Sequence, residues 1–262
     1  MTSERGTDEL ITVAEGPVLT VTFNRPEQRN AMTWDMYDGL YAACERADAD
    51  PGIRAMVLRG AGEQAFVAGT DIGQFADFAG GFDGVEYERR IERVIERIAD
   101  VTVPTVAAVR GVCVGGGLAI AAACDLRIAT PGSRFGVPIA RTLGNCLSMN
   151  TYNLLVFHLG PARTLDLLLN ARLYSGSEAH AAGFVAELAE PAELDAVLGR
   201  AIQRLLGHAP ITMWATKRAV HRLRRAGVPT GDDLVSAAFG SEDFQQAVRA
   251  FAEKRRPEWR GR

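Results

Sequence analysis

What this chain has little of narrows its class first. Cysteine is scarce, four in 262 residues, and Cys44, Cys113, Cys124 and Cys146 form no CxxC pair. That spacing argues against a zinc site or disulfide frame, so no metal is expected and reduced thiols in a cytoplasmic protein are. Long apolar runs are missing as well. The longest, residues 112–124, is interrupted by three glycines and is too short to span a bilayer, so no membrane role is expected. Residues 1–9 lack the apolar core of a secretory leader. Charge of one sign is also missing: 29 Lys and Arg against 32 Asp and Glu give a formal net charge of −3, which offers no pull toward nucleic acid or an anionic membrane. What remains is an ordinary globular composition, 47% hydrophobic and 23% charged, in a chain long enough to bury a sizeable core.

The most informative stretch is Arg110-Gly111-Val112-Cys113-Val114-Gly115-Gly116-Gly117-Leu118-Ala119, followed by an apolar segment ending at Asp125. Three consecutive glycines carry no side-chain chemistry, so their use is backbone geometry: close approach of another segment or a ligand, with amide N–H groups free to face it. Before it, residues 10–14 and 18–23 predict a hairpin around Glu15-Gly16-Pro17. Thr33 predicts the N-cap of a helix running to Asp50, with Met36, Leu40, Cys44 and Ala47 on its buried stripe. Residues 54–59 predict a third strand. A glycine-rich, mobile-looking segment runs from Gly73 to Gly84, and Asp83 with Glu86 predicts a capped helix start whose buried stripe is Tyr87, Ile91, Val94, Ile95 and Ile98. Residues 103–109 and 126–129 predict further strands. Strand and helix thus alternate over short connections, which predicts an α/β fold with parallel strands.

Beyond Asn145 the strand signal fades. Residues 145–159, 161–169, 177–182, 192–206 and 210–225 all predict helices, with Pro161 and Pro210 in first-turn positions. The expected division is an α/β core over residues 1–200 and a helical region over 201–262. The basic cluster Lys217, Arg218, His221, Arg222, Arg224 and Arg225 reads as a solvated helix face, with phosphate binding or a subunit contact as the alternative. His158, on an apolar stretch, reads as structural.

Several phrases, in order, resemble the enoyl-CoA hydratase/isomerase family, the crotonase superfamily: Phe23-Asn24-Arg25-Pro26 with Arg29-Asn30-Ala31, Ala65-Phe66-Val67-Ala68-Gly69-Thr70-Asp71-Ile72, the glycine stretch, Cys124-Asp125-Leu126-Arg127-Ile128-Ala129, and Phe135-Gly136-Val137-Pro138. The resemblance implies a crotonase-like spiral of β-β-α turns and a C-terminal helical trimerisation region, hence a homotrimer or homohexamer. It implies an acyl-CoA substrate, with coenzyme A as part of that substrate and no permanently bound cofactor. It assigns an oxyanion hole for the thioester oxygen to the amides of Thr70 and Gly116, and contacts with CoA to Glu27, Gln28, Arg29, Ala68, Asp71 and Ile72. Lys254, with Arg255, resembles tail residues that reach the nucleotide; a solvated charge pair is the other reading.

The resemblance fails at the proton-transfer positions. Hydration needs one group to activate water and another to protonate carbon. The hydratases of this family use two glutamates, and the matching positions here are Ala119 and Ile139. The segment after Ile139 also departs and is unusually polar, so Arg141, Asn145, Cys146 and Ser148 become candidates for replacement chemistry. Ser148 falls where some relatives carry an aspartate. Each has a bland alternative: Asn145 as a helix cap, Cys146 as a buried thiol, Arg141 as a loop tie. Glu86, Tyr87 and Glu88 are further candidate donors.

Overall fold

The structure is a computed structural model that describes residues 8–228 and 231–260. Most of the leading segment, residues 1–7, and the tail end, residues 261–262, lie outside the described residues.

The chain winds as a spiral. Strands β1 (Leu10–Glu15) and β2 (Val18–Phe23) form the predicted hairpin and lead into α1 (Trp34–Ala49), capped by the Thr33 hydroxyl, which accepts the Met36 N–H. The next turns repeat the unit: β3 (Ala55–Gly60), β4 (Ala65–Val67) and α2 (Gly81–Asp100), then β5 (Thr105–Val109), β6 (Val112–Val114) and α3 (Gly116–Ala123). A fourth brings β7 (Leu126–Ala129), β8 (Arg134–Gly136), the short α4 (Ile139–Thr142) and the long α5 (Met149–Leu169). The first strand of each later turn joins a six-stranded sheet, β1-β2-β3-β5-β7-β10, and the second joins a smaller one, β4-β6-β8-β9. All pairings among β2, β3, β5, β7 and β10, and among β4, β6 and β8, are parallel. This is the β-β-α spiral, and it places the C-terminal ends of β4 and β6 side by side.

Two strands lie where the sequence signal had faded, β9 (Leu173–Ser175) and β10 (Glu187–Leu188), on either side of α6 (Gly176–Ala181). They are too short for alternation to register. The predicted helices 145–159 and 161–169 lie within α5, which starts four residues later, at the Ser148 cap, and breaks at Gly160 with φ 74°. Asn145 is therefore not the cap. α7 (Leu194–Leu206) crosses the expected boundary at residue 200, and Val197, Leu198, Ala201 and Ile202 share a buried cluster with Ala55, Val57, Val106 and Ala108 of the large sheet. The core thus continues through that position.

The basic cluster is corrected in part. On α8 (Pro210–Arg225) Arg222 is exposed, but Lys217 and Arg224 turn inward: Lys217 is buried, its ammonium 2.7 Å from the Asp125 carboxylate that ends the glycine helix. Arg218 and Arg225 both bind Asp100, and Arg224 donates to Asn150 at 2.9 Å. The sequence shows charge but not the carboxylates that receive it. Helices α9 (Asp232–Phe239) and α10 (Glu242–Ala252) complete the chain. α9 packs on the start of α2 so closely that a methyl group at Gly84 would fall 2.2 Å from the ring of Phe239.

Candidate active site

The site forms where β4 and β6 end. Past β4, Gly69 turns with φ 99°; past β6, Gly115 turns with φ 56° and ψ −124°, a region that L side chains avoid. The two turns touch: a methyl on Gly115 would lie 3.5 Å from the Gly69 Cα, and one on Gly117 would lie 2.2 Å from the Val67 carbonyl oxygen. The glycine run therefore serves first to let two backbones meet. Thr70 and Gly116 follow directly, both half-buried. The backbone around Thr70 is tied to Met32, whose N–H donates to the Gly69 carbonyl and whose carbonyl accepts the Asp71 N–H. The Thr70 and Gly116 amides donate to no acceptor among the described residues. Gly116 is also the first residue of α3, where free N–H groups and the helix dipole favour negative charge. Two such donors can bind an anionic oxygen.

Below them lies a chain of hydroxyls. The Thr70 Oγ1 is 2.8 Å from the Tyr37 hydroxyl and 2.7 Å from that of Tyr87, tying the turn to α1 and α2. Burial pushes both phenols well above their usual range, so they stay protonated. Tyr87 also joins an aromatic cluster with Phe75, Phe78, Phe239 and Phe244. Phe75 and Phe78 thus anchor the middle of the glycine-rich segment 73–84. Helix α2 starts earlier than predicted, at Gly81. Asp83 does take part in the cap by accepting the N–H groups of Ala79 and Gly80, whereas Glu86 is exposed and binds Arg89.

The expected CoA-contact residues gather on one rim. Glu27, Gln28 and Arg29 are exposed on a short 3₁₀ turn, and the Arg29 carbonyl accepts the Ala68 N–H at 3.1 Å. Asp71 caps the turn at Ile72 and binds Arg25 at 2.9 Å. Asn30, which the sequence reading did not single out, holds this rim together: fully buried, its amide donates to the carbonyls of Ala61 and Ala65, and its oxygen accepts the Arg25 N–H. Its signal was only its place in the Arg29-Asn30-Ala31 phrase. Lys254 lies elsewhere, exposed just past α10, with no side-chain partner among the described residues; Arg255 pairs with Glu253.

The four replacement candidates diverge. Arg141 is exposed on α4. The Asn145 side-chain oxygen is sealed from solvent and has no hydrogen-bond partner among the described residues. Cys146 is half-buried, and desolvation pushes its thiol up to about 12, which disfavours a thiolate. The Ser148 hydroxyl is committed to capping α5, accepting the Thr151 N–H. Its own N–H, however, donates at 2.7 Å to the carboxyl of Glu88, 6% exposed on α2. Glu88 also lines a cleft of about 440 Å³ between α2, the start of α5 and α9. Its burial pushes it up to about 8. Ala119 is buried on α3 and Ile139 half-buried on α4, and neither can move a proton. His158 is structural: its Nε2 lies 2.9 Å from the Ala122 carbonyl, and burial holds the imidazole down at about 3.

Comparison with known proteins agrees with this architecture. The enoyl-CoA hydratase/isomerase family model matches residues 14–262. The short-chain enoyl-CoA hydratase of Clostridium acetobutylicum is 31% identical over 255 residues, covering 96% of this chain and 97% of that one. Among solved structures, an enoyl-CoA hydratase/carnithine racemase from Magnetospirillum magneticum superposes with a TM-score of 0.80 at 30% identity, over 98% and 97% of the two chains. A methylmalonyl-CoA decarboxylase holding 2-nitronate-propionyl-CoA gives 0.87 at 25% identity, over 97% and 99%. The chain belongs to the enoyl-CoA hydratase/isomerase family.

Proposed function

We propose that this protein binds an acyl-CoA and stabilises its thioester enolate through the amides of Thr70 and Gly116, without hydrating it by the two-glutamate route. The observation that carries the reading is the pair of free amides where β4 and β6 end, beside a rim that offers Glu27, Gln28, Arg29, Ala68, Asp71 and Ile72 to the CoA. Each donor aimed at a developing oxyanion is worth about 3 kcal/mol of transition-state stabilisation. The rest of the ordinary hydratase mechanism has no side chains to perform it. Positioned acid–base groups contribute about 10²–10⁴-fold each, so Ala119 and Ile139 leave that route close to inactive. The reaction is then another outcome of the same enolate, such as isomerisation, thioester hydrolysis or decarboxylation. The assembly is a homotrimer or homohexamer, a reading supported by apolar side chains left exposed on α5 and α8, Leu169 and Ile211 among them.

Calorimetry with butyryl-CoA tests the binding half: a saturable heat is expected, and no heat at millimolar ligand overturns the family-based site. Crotonyl-CoA tests the other half. Turnover at the rate of ordinary hydratases would overturn the claim that Ala119 and Ile139 close the standard route. The pair Ala119→Glu with Ile139→Glu is expected to raise hydration. If acyl-CoA binds but a broad panel is not turned over, the chain is a catalytically silent CoA-binding subunit.

A further inference from the structure

Among the described residues Glu88 is the one buried carboxyl group, and the reaction scheme above gives it no task. It sits on α2 directly after Tyr87, whose hydroxyl touches Thr70. One carboxyl oxygen accepts the Ser148 N–H; the residue also lines the cleft between α2, α5 and α9. Its negative charge discourages ionisation of Tyr37 on α1, Cys146 ahead of α5 and Tyr152 on α5, so the carboxyl lies near all three. Across the cleft stand Arg225 of α8 and Asp232 of α9, and Arg89, Glu92 and Glu96 line it from α2 itself. A carboxyl group that lines a cleft and follows directly on Tyr87, whose hydroxyl meets Thr70 at the turn that carries the free amides, has the placement a proton carrier needs. A purely structural position here would be filled more cheaply by glutamine, which accepts the same N–H without a buried charge.

We propose that Glu88 is the proton-transfer group of this enzyme, exchanging protons with solvent through the cleft and with the α-carbon of the bound acyl thioester. The proposal rests on the acyl-CoA reading above. In the forward step the Glu88 carboxylate takes the α-proton, the C–H electron pair moves into the bond between the α-carbon and the carbonyl carbon, and the carbonyl π pair moves to the oxygen held by the Thr70 and Gly116 amides. In the return step the same proton, or one gained from the cleft, is delivered to carbon. One carboxyl group can thus remove and return a proton, but it leaves water unactivated, which fits the loss of both hydratase positions. With its carboxyl pushed up to about 8 by burial, Glu88 holds its proton weakly enough to give it and strongly enough to take it near neutral pH.

The test is deuterium wash-in at the α-carbon of butyryl-CoA in D₂O, followed by NMR, alongside calorimetric binding of the same compound. The wild-type protein is expected to exchange the α-protons, with a rate that rises with pH to a limb near 8. Glu88→Gln is expected to slow exchange at least 100-fold while binding changes less than twofold, and Glu88→Asp to retain part of the rate. Glu92→Gln removes a like charge that raises Glu88 and is expected to move the limb to lower pH, a shift that a merely structural Glu88 would not produce. Exchange by Glu88→Gln within threefold of wild type, or no exchange by a wild-type protein that does bind butyryl-CoA, overturns the assignment. Absence of binding in wild type instead overturns the acyl-CoA reading on which it stands.

Discussion

Glu88 shows what a single buried residue does to the whole protein's response to pH. Unfolded, its carboxyl loses its proton near 4.5; folded, it keeps it until about 8. Between those values the folded state binds the extra proton, so this group's contribution to stability is complete below 4.5 and is lost as pH rises through 8. The full effect is on the order of 5 kcal/mol. Glu88→Gln should therefore remove a downward slope in unfolding free energy between pH 5 and 8, and should be the more stable variant at pH 8.5, as read from denaturant melts at the two ends. Gly117 gives a second prediction at this scale. Gly117→Ala drives a methyl group into the Val67 carbonyl, which cannot retreat without parting β4 from β6. A loss of about 1–3 kcal/mol is expected, together with weaker acyl-CoA binding. The glycine run was legible because backbone geometry leaves a mark in composition, whereas Thr70 and Gly116 were picked out through the family resemblance. Glu88 was named in the sequence as one of three neighbouring candidates, but nothing there separates it from exposed Glu86, because burial depends on Ser148, sixty residues on.

At the level of elements, the least legible was α8. Its six basic residues read as a solvated face, yet Lys217 reaches Asp125 at the end of the glycine helix, with the Val103 carbonyl as a further acceptor. Asp125 in turn accepts both the N–H and the hydroxyl of Thr105 on β5. Despite burial, these partners hold its carboxyl below the usual range. Lys217→Met leaves that half-buried carboxylate without its cation and should cost about 3 kcal/mol in thermal or denaturant unfolding. Adding Asp125→Asn should recover much of the loss, since the cost lies in the orphaned charge. The strands β9 and β10 were missed for a different reason. At three residues and two, they owe their conformation to the sheet edges they meet, not to any pattern of their own.

For the molecule as a whole, the parallel α/β core was legible from the alternation of strand and helix, and the spiral came with the family resemblance carried by the ordered phrases; α7 runs across residue 200, where the expected division fell. Sedimentation should give the mass of three or six chains, and Leu169→Glu with Ile211→Glu should lower it if those exposed side chains seal the assembly. The spiral also sorts the site into two kinds of inheritance. Thr70 and Gly116 are neighbours because β4 and β6 are neighbours, at the roughly 4.8 Å spacing that backbone hydrogen bonding imposes on any pair of strands. That half of the site can pass unchanged through long stretches of sequence drift. The half to which the proposal assigns proton transfer hangs instead on side chains of α2 and the entrance to α5, each a single codon from replacement.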